Sequence, residues 1–275
     1  MSWRFARTPS WIVRHVAVAA LVGSMLILGV WQLRRLDDRR AHNAVVAARL
    51  QAATVDVGAI VEADAAVDSG AVARVAYRPV RARGRYVEAD TVIVENHTYA
   101  GRSGAWVLTP LRLADGTAVV VNRGFIDVNE AGVLIAPVAP AGVVVVGGML
   151  LPTERRGSFG PTDPPDGTLD VLARVDLERL QAQLDYDLLP VYVQLATSAP
   201  PEPPVAAGEP ALQPLPAPEL DEGPHFAYAV QWFIFTTIAA GGYGLLLRRV
   251  ARDRAREEAA TASVAAAAAA AAARH

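Results

Sequence analysis

The sequence predicts a membrane protein in which two transmembrane α-helices, paired as a hairpin, flank a mainly β extracytoplasmic domain with one short helix. Three observations predict it. An uncharged run of 22 residues separates His225 from Arg248, and another of 19 extends from His15 to Leu33. At about 1.5 Å per helical residue, each is long enough to cross a hydrocarbon core of about 30 Å. Between them lie short runs of valine, tyrosine and other strand formers, punctuated by Gly, Asp and Pro.

Taken in order, residues 1–14 carry Arg4, Arg7 and Arg14 with no acid. The span at 15–33 is longer than the roughly 7 to 15 residues of a signal-peptide core. No small-residue cleavage site follows it promptly, so an uncleaved span is expected. The connector at 34–71 opens with Arg34, Arg35, Arg39 and Arg40, and reads as a helix leaving the membrane, then a loop. Six strand runs fill the domain at 72–196: VAYRPVRARGRY, TVIVEN, AWVLTPLRL, AVVVNRGFI, GVVVVGGML and LLPVYVQL. Asp115 and Gly116 form a two-residue hairpin signal between two of them. One helix is expected from Asp176 to Leu184, with Asp176 as N-cap and Leu177, Leu180 and Leu184 along one side. The proline-rich stretch at 197–224 reads as a semi-rigid spacer. The second span occupies 225–247, and an arginine- and alanine-rich tail fills 248–275.

Charge sets the expected orientation. Glu219, Asp221 and Glu222 precede the second span, whereas Arg248, Arg249, Arg252, Arg254 and Arg256 follow it. Arginine excess near a span end is retained in the cytoplasm. Both termini are therefore expected inside, and the β-rich domain outside.

Composition excludes several chemistries. A net charge of −2 offers no general attraction for nucleic acid. With no cysteine there are no disulfides, thiolate metal sites or covalent haem attachment. GRSGA at Gly101–Ala105 lacks a glycine of the nucleophile elbow and leads into a strand instead of a helix. GVVVVGG lacks dinucleotide-site spacing, and no phosphate-binding loop occurs. His42 and His97 are isolated in sequence. No catalytic residue is assigned, and an enzyme survives only as an unspecific alternative.

The candidate binding residues cluster at the head of the second span. His225 shares a helix face with Tyr228 and Trp232, and Phe233 follows. Tyrosine and tryptophan anchor spans at headgroup depth, and a histidine there is either an interfacial residue or a neutral nitrogen for a metal such as haem iron. Two arginines are candidates for a carboxylate such as a haem propionate: Arg123, in VNRGF at a strand end, and Arg102, beside Gly104. Each also fits a structural role, pairing with an acid or locking a turn, and that reading is favoured.

The ordered set of motifs resembles the surfeit-locus family of cytochrome c oxidase assembly proteins. The matching stretches are WQLRRLDDR at Trp31–Arg39, YRPVRARGRY at Tyr77–Tyr86, AGRSGAWVLTPL at Ala100–Leu111 and VVVNRGFI at Val119–Ile126. They continue with Pro140–Leu150, LPVYVQL at Leu189–Leu195 and HFAYAVQWF at His225–Phe233. Phe125 stands where the family often has tryptophan. The resemblance implies a non-catalytic assembly factor, a chaperone of the respiratory chain in a bacterial plasma membrane. It implies haem a as cargo, with His225 on the iron and Tyr228, Trp232 and Phe233 against the macrocycle. Its implied partners are the catalytic subunit of a haem-copper oxidase, the haem a synthesis machinery and the lipid bilayer. A haem-free scaffold for oxidase subunits and a membrane-tethered enzyme are the alternatives.

Overall fold

The computed structural model describes residues 3–63, 69–128, 134–157, 160–204 and 211–272. In chain order, helix α1 (Pro9–Leu50) is followed by strand β1 (Val55–Asp56) and helices α2 (Val57–Ala63) and α3 (Ser69–Val75). Strands β2 (Pro79–Tyr86), β3 (Val92–Tyr99), β4 (Arg102–Leu113), β5 (Ala118–Asp127) and β6 (Val144–Pro152) come next. Then come β7 (Val171–Leu172), helix α4 (Leu177–Gln181), β8 (Leu188–Ala199) and helix α5 (His225–Ala272). The chain divides into two compact units, Met1–Asn43 with Asp221–His275, and Ala44–Leu220.

In the first unit α1 and α5 pair antiparallel. Pro9 stands at the first helical position, where its missing N–H costs nothing, and no other proline interrupts α1. An 18-residue stretch of α1 has mean hydropathy 2.1 and one of α5 has 1.4. Both helices are thus long and apolar enough to cross a membrane. Only 6% of the first stretch and none of the second is buried. A core helix of a water-soluble protein would hide this surface, and so much exposed apolar area calls for a non-aqueous neighbour. Where the helices meet, Gly29 receives the Phe233 ring so closely that a Cβ on residue 29 would lie 2.8 Å from it.

The second unit is mainly β, and all six expected strands form. Pairing runs β2–β6–β8–β5–β4, and β2 also pairs with β4, so these five strands close on themselves. Gly84 is the corner of the closure: it is in register with Val144 of β6 and with Leu113 of β4. A Cβ there would stand 2.3 Å from the Arg112 carbonyl oxygen, so only glycine permits the approach. Inward residues from all five strands form one core, including Val80, Leu111, Val121, Val146 and Val193, with Val57 and Ile60 of α2 packed on it. Along β2 the alternation is strict: Val80 and Ala82 point in, and Arg81, Arg83 and Arg85 point out. A second cluster places Leu172, Val175, Leu177 and Leu180 over Leu108, Val120 and Tyr192. Because β5 has a packed neighbour on each face, its residues Ala118–Ile126 are buried without alternation.

Several details depart from expectation. The Asp115–Gly116 turn closes a three-residue loop, with Leu113 N–H bonded to the Thr117 carbonyl at 2.8 Å and Gly116 at φ 92°. That is a type I turn ending in a left-handed residue, the next commonest hairpin connection. The expected helix forms over Leu177–Gln181, capped by Asp176, whose carboxylate accepts from Arg179 N–H at 2.9 Å. The connector, expected to be a helix leaving the membrane and then a loop, begins with the continuation of α1 to Leu50, but a seven-residue helix, α2, stands within the expected loop and a second, α3, starts at its end. Residues 64–68 of that connector, 205–210 of the proline-rich stretch and 273–275 of the tail lie outside the described residues.

The proline-rich stretch is also more than a spacer. Gln213 exchanges two backbone hydrogen bonds with Phe125, both 2.8 Å, and Leu212 packs on Ala105, Val107 and Ile126. Prolines deny the segment a full ladder, yet leave it extended enough to pair at one point.

Candidate functional site

His225 is the first residue of α5, and Tyr228 N–H already bonds back to the Pro224 carbonyl at 3.1 Å. Its Nδ1 lies 2.9 Å from Gln32 Oε1 of α1. An amide oxygen only accepts, so Nδ1 is the donor in this contact and Nε2 is the nitrogen left for a metal. Nε2 has no hydrogen-bond partner among the described residues. Gly223, at φ 66°, lies beside this edge of the ring: a Cβ there would stand 3.5 Å from Cδ2 and 3.7 Å from Nε2. Left-handed backbone at this position favours glycine, and glycine keeps the ring edge open.

A cavity of about 440 Å³ adjoins the ring. Arg35, Asp38, Arg39 and His42 of α1 line it together with Asp221, Gly223 and His225. Gln32, Arg35, Arg39 and His42 follow a 3-4-3 spacing, so one face of α1 supplies the bond to His225 and most of the lining. The entry to α5 is fixed by ion pairs. Arg40 grips Glu222 through two hydrogen bonds of 2.8 Å, which hold the Glu222 carboxyl below its ordinary range and raise Arg40. Arg39 bonds the Asp221 carboxylate at 3.3 Å and its carbonyl at 3.2 Å, and Asn43 adds a third contact at 2.8 Å. These contacts stand immediately before Gly223 and determine how the ring is presented.

The aromatic candidates divide. Tyr228 is 48% exposed and offers an open face. Trp232 is half-buried and meets Phe235 edge-on, with centroids 6.2 Å apart. Phe233 is taken up by Gly29 and serves the helix pair.

The two arginine candidates are engaged in the second unit. Arg123 of β5 has a fully buried side chain and bonds Glu202 at 2.5 Å. It also donates to the Pro137 and Val138 carbonyls at 2.8 and 2.9 Å, and its guanidinium stands 5.6 Å from the Tyr86 ring centre. Burial raises the pKa of the Tyr86 hydroxyl, with Glu202 adding to the effect and Arg123 opposing it. The fork of Arg123 does meet a carboxylate, but an internal one, so this residue is not available to a propionate. Arg102 of β4 pairs with Asp127 and Gln213, both at 2.5 Å, and fastens the proline-rich segment.

Two further histidines are occupied. His15 Nε2 donates to the Ala6 carbonyl at 3.0 Å, and its Nδ1 accepts from the Tyr243 hydroxyl at 2.6 Å. His97 stacks on Trp106 with centroids 3.5 Å apart. Among the described residues no group of three or more His, Cys, Asp or Glu side chains is placed to hold a metal ion. A single imidazole that binds iron within a porphyrin needs no such group, because the macrocycle supplies the other ligands.

Gln32 and Arg35 lie within WQLRRLDDR, one of the stretches that carry the family resemblance, yet the sequence reading missed both as site residues. The signal for a role at the site is helical spacing relative to Arg39 and His42, which becomes meaningful once α5 is known to lie alongside.

The model of the SURF1 family matches residues 19–237, from within α1 to past Phe235 in α5. Uncharacterized SURF1-like proteins of Mycobacterium bovis and Mycobacterium tuberculosis are each 26% identical over 260 residues, covering 93% of this chain and 90% of theirs. A SURF1-like protein of Rickettsia felis is 21% identical over 171 residues, covering 62% of this chain and 70% of its own.

Proposed function

The chain belongs to the SURF1 family, and from that premise we propose that it is a membrane assembly factor for cytochrome c oxidase that holds haem a on His225 for the oxidase catalytic subunit. One observation carries the reading: His225 is an imidazole whose Nδ1 proton is held by Gln32 while Nε2 is left without a partner among the described residues. An outer-shell bond of this kind fixes the ring and raises its basicity as a metal ligand. The cargo brings an iron with an open axial position, a flat macrocycle and carboxylates. Nε2 of His225 takes the iron, and Tyr228 and Trp232 offer ring faces to the macrocycle. Arg102 and Arg123 are no part of the proposed site. The protein makes and breaks no covalent bond; it receives the cargo from the haem a synthesis machinery and releases it.

In this reading α1 and α5 cross a bacterial plasma membrane. Arg248, Arg249, Arg252, Arg254 and Arg256 keep the C-terminal end in the cytoplasm, and the β-rich unit Ala44–Leu220 lies outside. The test is the haem a content of the full chain, purified in detergent after co-expression with haem a synthesis enzymes. The wild-type chain is expected to be coloured and His225→Ala colourless. Equal haem content in the two removes the ligand assignment, and a colourless wild type that still carries oxidase subunits supports a scaffold instead.

A further inference from the structure

We propose that Arg35 is the residue that selects a carboxylate-bearing pigment, by taking one carboxylate of the molecule held on His225. The proposal rests on His225 as the iron ligand and goes beyond it, because it assigns the polar end of the cargo.

Arg35 lies three residues beyond Gln32 on α1, so the two are neighbours on one helix face, and Gln32 is the residue bonded to His225. It lines the same cavity as His225. The other arginine of the cavity is already engaged. Arg39 is engaged with Asp221 through Nε and Nη2, whereas Arg35 has no ion-pair partner among the described residues. Asp38, one turn away and also lining the cavity, forms no ion pair with Arg35. A guanidinium presents a planar fork that fits a carboxylate through two parallel hydrogen bonds. A nitrogen ligand and an unspent fork in one cavity fit an amphiphile that carries both a metal centre and a carboxylate.

The experiment titrates the full chain in detergent with ferric protoporphyrin IX and, separately, with its dimethyl ester, which has the same iron and ring but no carboxylate. Binding is read from the Soret band. Arg35→Gln is expected to weaken the diacid about tenfold and leave the ester unchanged. His225→Ala is expected to abolish the coordination shift with both pigments. An Arg35→Gln protein that weakens both pigments equally, or neither, overturns the assignment of Arg35 while leaving His225 in place. If the wild type shifts neither pigment, or if His225→Ala shifts both as the wild type does, the reading of His225 fails and the role of Arg35 fails with it. The ester also controls for folding, since a misfolded variant loses it as well.

Discussion

His15 and His225 belong to the same helix pair, and each reaches across to a side chain of the other helix, yet they are prepared for different work. His15 has both nitrogens engaged, one by the Ala6 carbonyl and one by the Tyr243 hydroxyl. His225 has one engaged, by Gln32, and one open beside Gly223. Around His15 the neighbours are apolar and aromatic: Trp11 at 6.2 Å and Tyr243 at 5.7 Å between ring centres, with Phe5, Trp11 and Ala251 forming a small core. Around His225 they are arginines, acids and a glycine. Position near the end of a long apolar helical stretch is common to both. What separates a fastener from a ligand is how many of its nitrogens the protein has already used.

This contrast can be broken most severely at Gln32. Gln32→Leu removes the acceptor that fixes the ring, and pigment affinity is expected to fall by about tenfold or more with the fold intact. Unchanged affinity, measured by Soret titration against a circular dichroism control, would mean that the interhelical bond does not prepare the ligand. The converse change is Tyr243→Phe, which frees Nδ1 of His15. It is expected to lower stability by about 1 kcal/mol, the usual scale for one hydrogen bond, and to leave pigment binding untouched. A second pigment-binding site in that variant would show that a vacant nitrogen alone suffices, without the polar cavity.

The smallest expected effect concerns His97, a histidine in the β-rich unit that is neither fastener nor ligand. Burial lowers its pKa below the ordinary 6.5, with Glu154 opposing the shift. The folded domain therefore favours the neutral ring, and the unfolded chain binds the proton more readily. The associated stability is complete above about 6.5 and is lost as pH falls through the lower folded value. Thermal melts of the full chain between pH 7.5 and 5 are expected to show this loss, and His97→Phe is expected to reduce it.

Much of this architecture was legible in the sequence because it depends on local pattern. The two apolar runs and the six strand runs each announce themselves by composition and period, and Asp176 announces a cap. Closure of the five-strand ring was not legible, since nothing near Gly84 shows that it faces both Val144 and Leu113. The parallel pairing of β5 with β8 was hidden for the same reason. Arg123 was read either as a structural residue paired with an acid or as a fork for a bound carboxylate; the acid it pairs with, Glu202, lies 79 residues later and makes its burial possible, which local pattern could not show. At the candidate site His225 was visible as an imidazole at the head of a long uncharged run. Gln32 was not, because a glutamine becomes a ligand's partner only through a contact 193 residues away in sequence. Arg35 was counted as flanking positive charge, a description that fits any arginine after a span.

The most direct test of the open nitrogen is chemical rescue. His225→Gly removes the imidazole and leaves space that free imidazole can enter. Without imidazole the variant is expected to lack the coordinated Soret spectrum given by the wild-type chain, and with millimolar imidazole to regain it. A variant whose spectrum already matches the wild type without imidazole would place the iron on some other residue, and His225 would then be no ligand.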